Sequence, residues 1–250
     1  MPAEEVVCFL HIPKNAGTTI RSILLKSYGT NSVADIMLQG RVSVDGDAKT
    51  VDSLDEDVFV AVSEIIARQN DLACITANLP FGIHRYLDRK VHYFAMLREP
   101  VSRCISYWNF AYQNRKVNPL WSLLKKHGFD LDYILDRRIA YQFTNDQVRM
   151  ICGTAKPELD ETDLRKARDL IQKRYSFVGA VEHFGSCFEL LKKQFGWRTT
   201  RIPHLNVGLA NDPFIASTKA RKRLRDANEW DIKLHEWLLK KYLPRHLTNI

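Results

Sequence analysis

The sequence has 250 residues, of which 45% are hydrophobic, 10% aromatic and 26% charged, the balance of a chain that buries a core rather than of a disordered, collagen-like or coiled-coil one. Thirty-seven Lys and Arg against 29 Asp and Glu leave a net charge of +8, which suits an anionic ligand without naming one. No apolar run approaches the roughly 20 residues of a membrane span, and the start Met1-Pro2-Ala3-Glu4-Glu5 is acidic where a secretory leader is basic, so the expectation is a cytoplasmic chain with no membrane span.

Val6 to His11 is a β-branched and apolar run, the signature of a buried strand, and it stops at Ile12-Pro13 because proline cannot donate to a ladder. A turn over Lys14-Asn15-Ala16-Gly17 follows. Ile20, Ile23, Leu24 and Tyr28 then recur at helical spacing, with Gly17 or Thr18 as the cap and Gly29 as the stop. Thr30 to Thr50 is mixed and aperiodic and receives no firm element. Ser53 to Gln69 carries helix start signals and apolar positions at Val58, Val62, Ile65 and Ile66, and Ala73 to Ala77 reads as a second buried strand.

Asn78 to His84 is a loop, Val91 to Leu97 a third strand, and Pro100 the first residue of a helix through Tyr107, Trp108 and Ala111. Helical pieces fit Leu120 to His127, Leu131 to Asp136 and Asn145 to Cys152. Asp160 to Arg174 has an acidic start and a basic end, the charge order a helix dipole favours. Phe177 to Val181 is a fourth strand and Gly185 to Phe195 a helix. A loop over Trp197 to Ser217 precedes helices at Lys219 to Asp226 and Glu229 to Leu243. Strands alternating with helices predict one α/β domain over residues 1–250, three-layered, with a mainly parallel sheet whose ligands bind at the carboxyl ends of the strands. The five cysteines (Cys8, Cys74, Cys104, Cys152, Cys187) form no Cys-x-x-Cys pair and lie mostly in apolar stretches. They read as buried free thiols.

Two βα junctions carry chemistry. The first is Pro13-Lys14-Asn15-Ala16-Gly17-Thr18-Thr19, where a helix N-terminus, a lysine, two hydroxyls and a glycine that lets backbone come near a ligand suit phosphate or sulfate oxygens. It is no Walker A loop, because Lys14 precedes Gly17 instead of following a G-x-x-x-x-G, and this disfavours a P-loop kinase. In the second, Arg98 ends a strand and Ser106 lies two helical turns on, so both could reach one anion. An ordinary turn with a surface lysine and a capped helix with Arg98 paired to Glu99 are the plain alternatives. No His or Cys spacing suggests a metal site, and no module organises the charge for nucleic acid.

The stretches HIPKNAGTT (His11 to Thr19) and LREPVSRCISYW (Leu97 to Trp108) resemble the sulfotransferase family that includes heparan sulfate 2-O-sulfotransferase and many small bacterial members. The likeness continues through LPFGIHRYL, NDQVRMICG, FVGAVEHFGSCFELLKKQFGW, PHLNVG and NEWDIKLHEWL. It implies a P-loop-like α/β/α fold and 3′-phosphoadenosine 5′-phosphosulfate as donor, with no metal. Lys14, Asn15, Gly17, Thr18 and Thr19, with Ala16 among them, would hold the 5′-phosphosulfate, and Arg98 and Ser106 the 3′-phosphate. The acceptor would be a small molecule or saccharide. Relatives commonly carry a histidine before Leu-Pro-Phe-Gly as proton acceptor, whereas this chain has Asn78. His84 is then the first candidate for that role and Glu64 a distant second, the alternatives being an acceptor that needs little help from a base and a protein that binds nucleotide or polysaccharide without turnover. Arg149 could face the nucleotide or pair with an acid, and Lys219 to Arg225 is a dense basic run, by default a solvated helix face.

Overall fold

Apolar runs such as Val6-Val7-Cys8-Phe9-Leu10 can be buried on both faces only in the middle of a parallel sheet, and that is where they lie in the computed structural model. It describes residues 4–37, 41–44, 47–49, 56–67, 69, 71–115, 118–198 and 217–248. Strand β1 (Glu5–Leu10) leads through helix α1 (Gly17–Tyr28) to β2 (Val33–Met37), then to β3 (Arg41–Val44) and β4 (Asp47–Lys49). Helix α2 (Glu56–Ala67), β5 (Cys74–Ala77), a 3₁₀ turn at Ile83–Tyr86 and β6 (Lys90–Leu97) follow. After α3 (Pro100–Gln113), α4 (Pro119–Lys126), α5 (Leu131–Asp136), α6 (Asp146–Cys152) and α7 (Glu161–Lys173), the chain enters β7 (Tyr175–Ala180). It continues into α8 (Phe184–Phe195), α9 (Thr218–Ala227), α10 (Glu229–Trp237) and α11 (Leu243–Leu247).

The strand order is β4-β3-β2-β5-β1-β6-β7. β2, β5, β1, β6 and β7 run parallel, while β3 and β4 add an antiparallel margin. This is the three-layer α/β/α architecture with a mainly parallel sheet that the alternation of elements predicts.

The stretch Thr30 to Thr50 differs from its reading as structureless, since it supplies three strands. Asp35 stands in the middle of β2 and interrupts the apolar signal, and its charge is met by Arg21 Nε at 2.7 Å and by the hydroxyl of Thr76 on the neighbouring strand. The long C-terminal helix also differs, because between Trp237 and Leu243 it widens into a π turn over Leu238–Tyr242. Pro244 has no N–H to give the carbonyl four residues back, so a regular turn there would leave that carbonyl orphaned. The expected loop over 197–217 and the PHLNVG block lie almost wholly outside the described residues.

One buried cluster wraps the sheet, with Phe9, Phe94, Ile20, Phe177 and Phe188 among its members. A second gathers α3, α4, α5, α9 and the turn at Tyr141–Phe143 around Cys104, Trp108, Leu124 and Phe143. All five cysteines are free and buried, and burial pushes the Cys104 thiol up to about 11. No described helix is long and apolar enough to cross a membrane.

Candidate functional site

β1 and β6 are adjacent and parallel, yet the chain leaving β1 goes to one side of the sheet and the chain leaving β6 to the other. Such a reversal opens a crevice at the carboxyl ends of the two strands. The loop that follows β1, from His11 to Ala16, stands on one side of this edge as one wall and Arg98, after β6, on the other.

The β1 loop is tightly curled. Ile12 is fully buried, Asn15 N–H closes back on Ile12 O at 3.3 Å, and Lys14 and Ala16 adopt left-handed backbone at φ 71° and 62°, which costs a non-glycine residue on the order of 1 kcal/mol each. Ala16 occupies the N-cap of α1 and offers no side-chain oxygen, where Gly17 or Thr18 had been the expected cap. The first amides of α1, at Gly17, Thr18 and Thr19, therefore receive no cap and remain available to an anion. Gly17 is also required by packing, because a Cβ there would collide with the His11 imidazole. That ring stacks on Phe9, and burial lowers its pKa to about 4. Thr19 is buried and Thr18 exposed.

The two walls are joined by hydrogen bonds. Asn15, 1% exposed, donates from Nδ2 to Met96 O and to Gln147 Oε1, both at 2.8 Å, while its own buried Oδ1 has no partner among the described residues. Arg98 donates from Nη1 to Lys14 O at 3.2 Å. The Lys14 ammonium rests 4.2 Å from the centre of the Phe110 ring, and no carboxylate among the described residues pairs with it. Burial, and then the positive charge of Arg98, lower its pKa to about 8. Ser102, Ser106 and Phe110 follow one another at four-residue spacing and are each half-buried, so the face of α3 that meets Lys14 also carries Ser106.

The second junction differs from the first in its helix end. Glu99 caps α3, accepting from Val101 N–H at 3.1 Å and Ser102 N–H at 2.7 Å, so those amides are taken. What this junction offers an anion is the Arg98 guanidinium and the Ser106 hydroxyl. Glu182 fixes the turn by accepting from Glu99 N–H at 2.7 Å and facing His235 Nε2 at 3.1 Å. Burial alone would raise the Glu182 carboxyl, but these bonds outweigh it and hold the group down at about 2.

The structure brings Lys14, Asn15, Ala16, Gly17, Thr18, Thr19, Arg98 and the Ser106 face together. It also sets Asn78 at this edge, directly beyond β5, where its N–H bonds Ile36 O at 2.9 Å, with His11 N–H on Ala77 O at 2.7 Å beside it. His84 goes elsewhere. Its N–H donates to the Tyr93 hydroxyl at 3.0 Å, its Nδ1 lies 3.0 Å from the same oxygen, and its ring leans on Phe81. Tyr93 stands four residues before the end of β6, roughly 13 Å below the crevice at about 3.3 Å per residue. Burial, with Arg174 and Arg85 nearby, lowers the His84 pKa, and Arg174 directly precedes β7, at the amino end of the sheet. Exchanging His84 for alanine is therefore expected to leave turnover within about threefold of wild type while lowering the melting temperature, since the lost partner is a buried tyrosine hydroxyl. A loss of about 100-fold, the usual measure of a missing proton acceptor, would show that the histidine reaches the acceptor after all. Glu64 is exposed on α2.

Arg149 also departs from a nucleotide-facing role. Its guanidinium donates to the carbonyls of Thr144, Asn145, Lys156 and Pro157 at 2.9 to 3.3 Å, tying the chain after α6 into place. In the basic run, Lys219 and Arg223 pair with Asp132, and Arg223 also with Asp136, which docks α9 on α5.

Sequence reasoning missed Gln147, Asp231 and Glu182. Each is a polar residue inside a helical or loop pattern that ordinarily marks a solvent face, and the only local sign was the block in which each stands.

The sequence profile of the sulfotransferase family matches residues 1–243. The chain belongs to that family, and sulfuryl transfer is its general chemistry. No curated protein matches the chain.

Proposed function

We propose that the protein transfers the sulfuryl group of 3′-phosphoadenosine 5′-phosphosulfate to a hydroxyl or amine of a small molecule or saccharide. The observation that carries this reading is Lys14, an ammonium drawn partly out of water beside the charge of Arg98, with a ring face and no described carboxylate as its neighbour. Such an arrangement is stabilised by an anion. The uncapped amides of α1 suit the oxygens of a phosphosulfate, and Arg98 with Ser106 suits a second phosphate.

Transfer is a displacement at sulfur in which negative charge grows on the departing phosphate. The chain's own part is to hold the donor in line and to meet that charge with Lys14 and the α1 amides, without a covalent intermediate. Asn78, at the strand end where an imidazole would serve as proton acceptor, supports a second reading in which the protein binds the nucleotide without turnover. Product formation from radiolabelled donor across a panel of hydroxyl and amine acceptors separates the two.

In a thermal-shift assay without Mg²⁺, 3′-phosphoadenosine 5′-phosphate is expected to raise the melting temperature clearly, by linkage to the folded state. ATP, which lacks the 3′-phosphate, should raise it only weakly. Equal shifts from both nucleotides would remove the donor assignment.

A further inference from the structure

The geometry points to Gln147 as the positioning residue that holds the two walls of the donor site at the spacing of one bisphosphate nucleotide, an inference that rests on the donor reading above. Gln147 is 0% exposed, so it touches no ligand itself. Its side-chain amide reaches both walls at once. Oε1 accepts from Asn15 Nδ2 at 2.8 Å, in the β1 loop, and from Arg98 N–H at 2.9 Å, at the end of β6. Nε2 donates to Arg98 O at 2.9 Å. Both main-chain groups of Arg98 are thus read by one side chain, which fixes where its guanidinium begins, and the same oxygen fixes the residue that follows Lys14.

A buried amide can act as such a gauge only if its own backbone is fixed, and α10 supplies that anchor. Asp231, fully buried, accepts from Gln147 N–H at 3.0 Å and from Val148 N–H at 2.8 Å. In return Asn145, at the N-cap of α6, accepts from Trp230 N–H at 2.9 Å and Asp231 N–H at 3.2 Å. Each helix caps the other. Residues 15, 98, 147 and 231 are far apart in the chain, yet they form one hydrogen-bonded path from the β1 loop to the C-terminal helices.

The functional consequence is chelation. A nucleotide with phosphates at both ends gains from the second contact only if the two anion sites are already at the right separation. Disturbing that separation should therefore penalise a bisphosphate much more than either monophosphate, which can settle in one half-site. A residue that merely stabilises the fold would weaken all three ligands alike.

The test is calorimetric titration of the full chain with 3′-phosphoadenosine 5′-phosphate, adenosine 5′-monophosphate and adenosine 3′-monophosphate, using wild type, Gln147→Met and Gln147→Asn. Met keeps the volume and loses every bond. Asn keeps the amide but is one methylene too short to reach both walls, and it serves where the Met variant does not fold. Bisphosphate affinity is expected to fall roughly 30-fold in either variant, with both monophosphates within about threefold of wild type. A uniform loss for all three ligands, or no loss, would overturn the assignment. If wild type shows no preference for the bisphosphate, the donor reading fails first and takes this inference with it, an outcome distinguishable because it appears before any substitution is made.

Discussion

Replacing Lys14 with alanine is expected to lower turnover by about 10²- to 10³-fold, the range for removing one preorganised group that meets charge developing in a transition state. Donor affinity should fall much less. The reason lies in when the charge grows, since the oxygen that leaves sulfur becomes fully anionic only as its bond breaks, so an ammonium beside it contributes most at that moment. The side chain is suited to this task because it sits over Phe110 and is held by no described carboxylate, which leaves the ammonium free to move onto an anion. Its pKa of about 8 gives the pH dependence its sign. Below pH 8 the free protein carries the charge that the donor needs. As pH rises through that value the ammonium must regain a proton to bind, so wild-type donor affinity should decline modestly, by no more than the loss in Lys14→Ala, whose own affinity stays flat. Steady-state rates with separate determination of kcat and donor KM decide the point, and a loss confined to KM would make Lys14 a binding residue alone.

The central sheet was legible because β1, β5, β6 and β7 are mostly buried runs of β-branched, aromatic and other apolar residues, the pattern a covered parallel sheet selects. Helix α7 was legible for a different reason: Asp160 and Asp163 form a reciprocal cap, and short-range chemistry of that kind is written within four residues. β2 was not legible. Asp35 is tolerated there only because Arg21 and Thr76 come to it from α1 and β5, and no window of the sequence contains those partners. The candidate site divides along the same line. Arg98 stands directly at the end of β6 and Lys14 four residues beyond β1, so their placement follows closely from the strands. His84 lies midway along a loop that must cross from the carboxyl end of β5 to the amino end of β6, and its height on that path is set by the Tyr93 hydroxyl on the next strand, which the loop's own residues do not announce. Gln147 looks like one polar residue of a short amphipathic helix until Asn15 and Arg98, 132 and 49 residues away, are brought to its amide.

Arg98→Ala is the other substitution with a large expected effect, and it acts on binding. A charge-assisted hydrogen bond to a phosphate contributes about 1.5 to 3 kcal/mol, so affinity for 3′-phosphoadenosine 5′-phosphate should fall by roughly ten- to a hundredfold. Adenosine 5′-monophosphate, with no 3′-phosphate to lose, should bind the variant nearly as well as wild type. Arg98 also donates to Lys14 O at 3.2 Å, so part of any loss could come from a relaxed β1 loop, and Arg98→Lys separates the two contributions. Lysine keeps the positive charge but lacks the planar fork that can bond one phosphate twice and the loop carbonyl besides. If the phosphate contact dominates, the lysine variant should recover part of the bisphosphate affinity. If loop support dominates, it should resemble alanine, and the 5′-monophosphate should weaken too. Ser106→Ala removes a neutral hydroxyl from the α3 face that meets Lys14 and should cost roughly two- to tenfold, in line with about 0.5 to 1.5 kcal/mol for an uncharged bond. Calorimetry with both nucleotides on these variants reads every arm of the comparison. Unchanged bisphosphate affinity in folded Arg98→Ala would mean that the second phosphate is held elsewhere, because no loss of a direct charge-assisted contact can be that small.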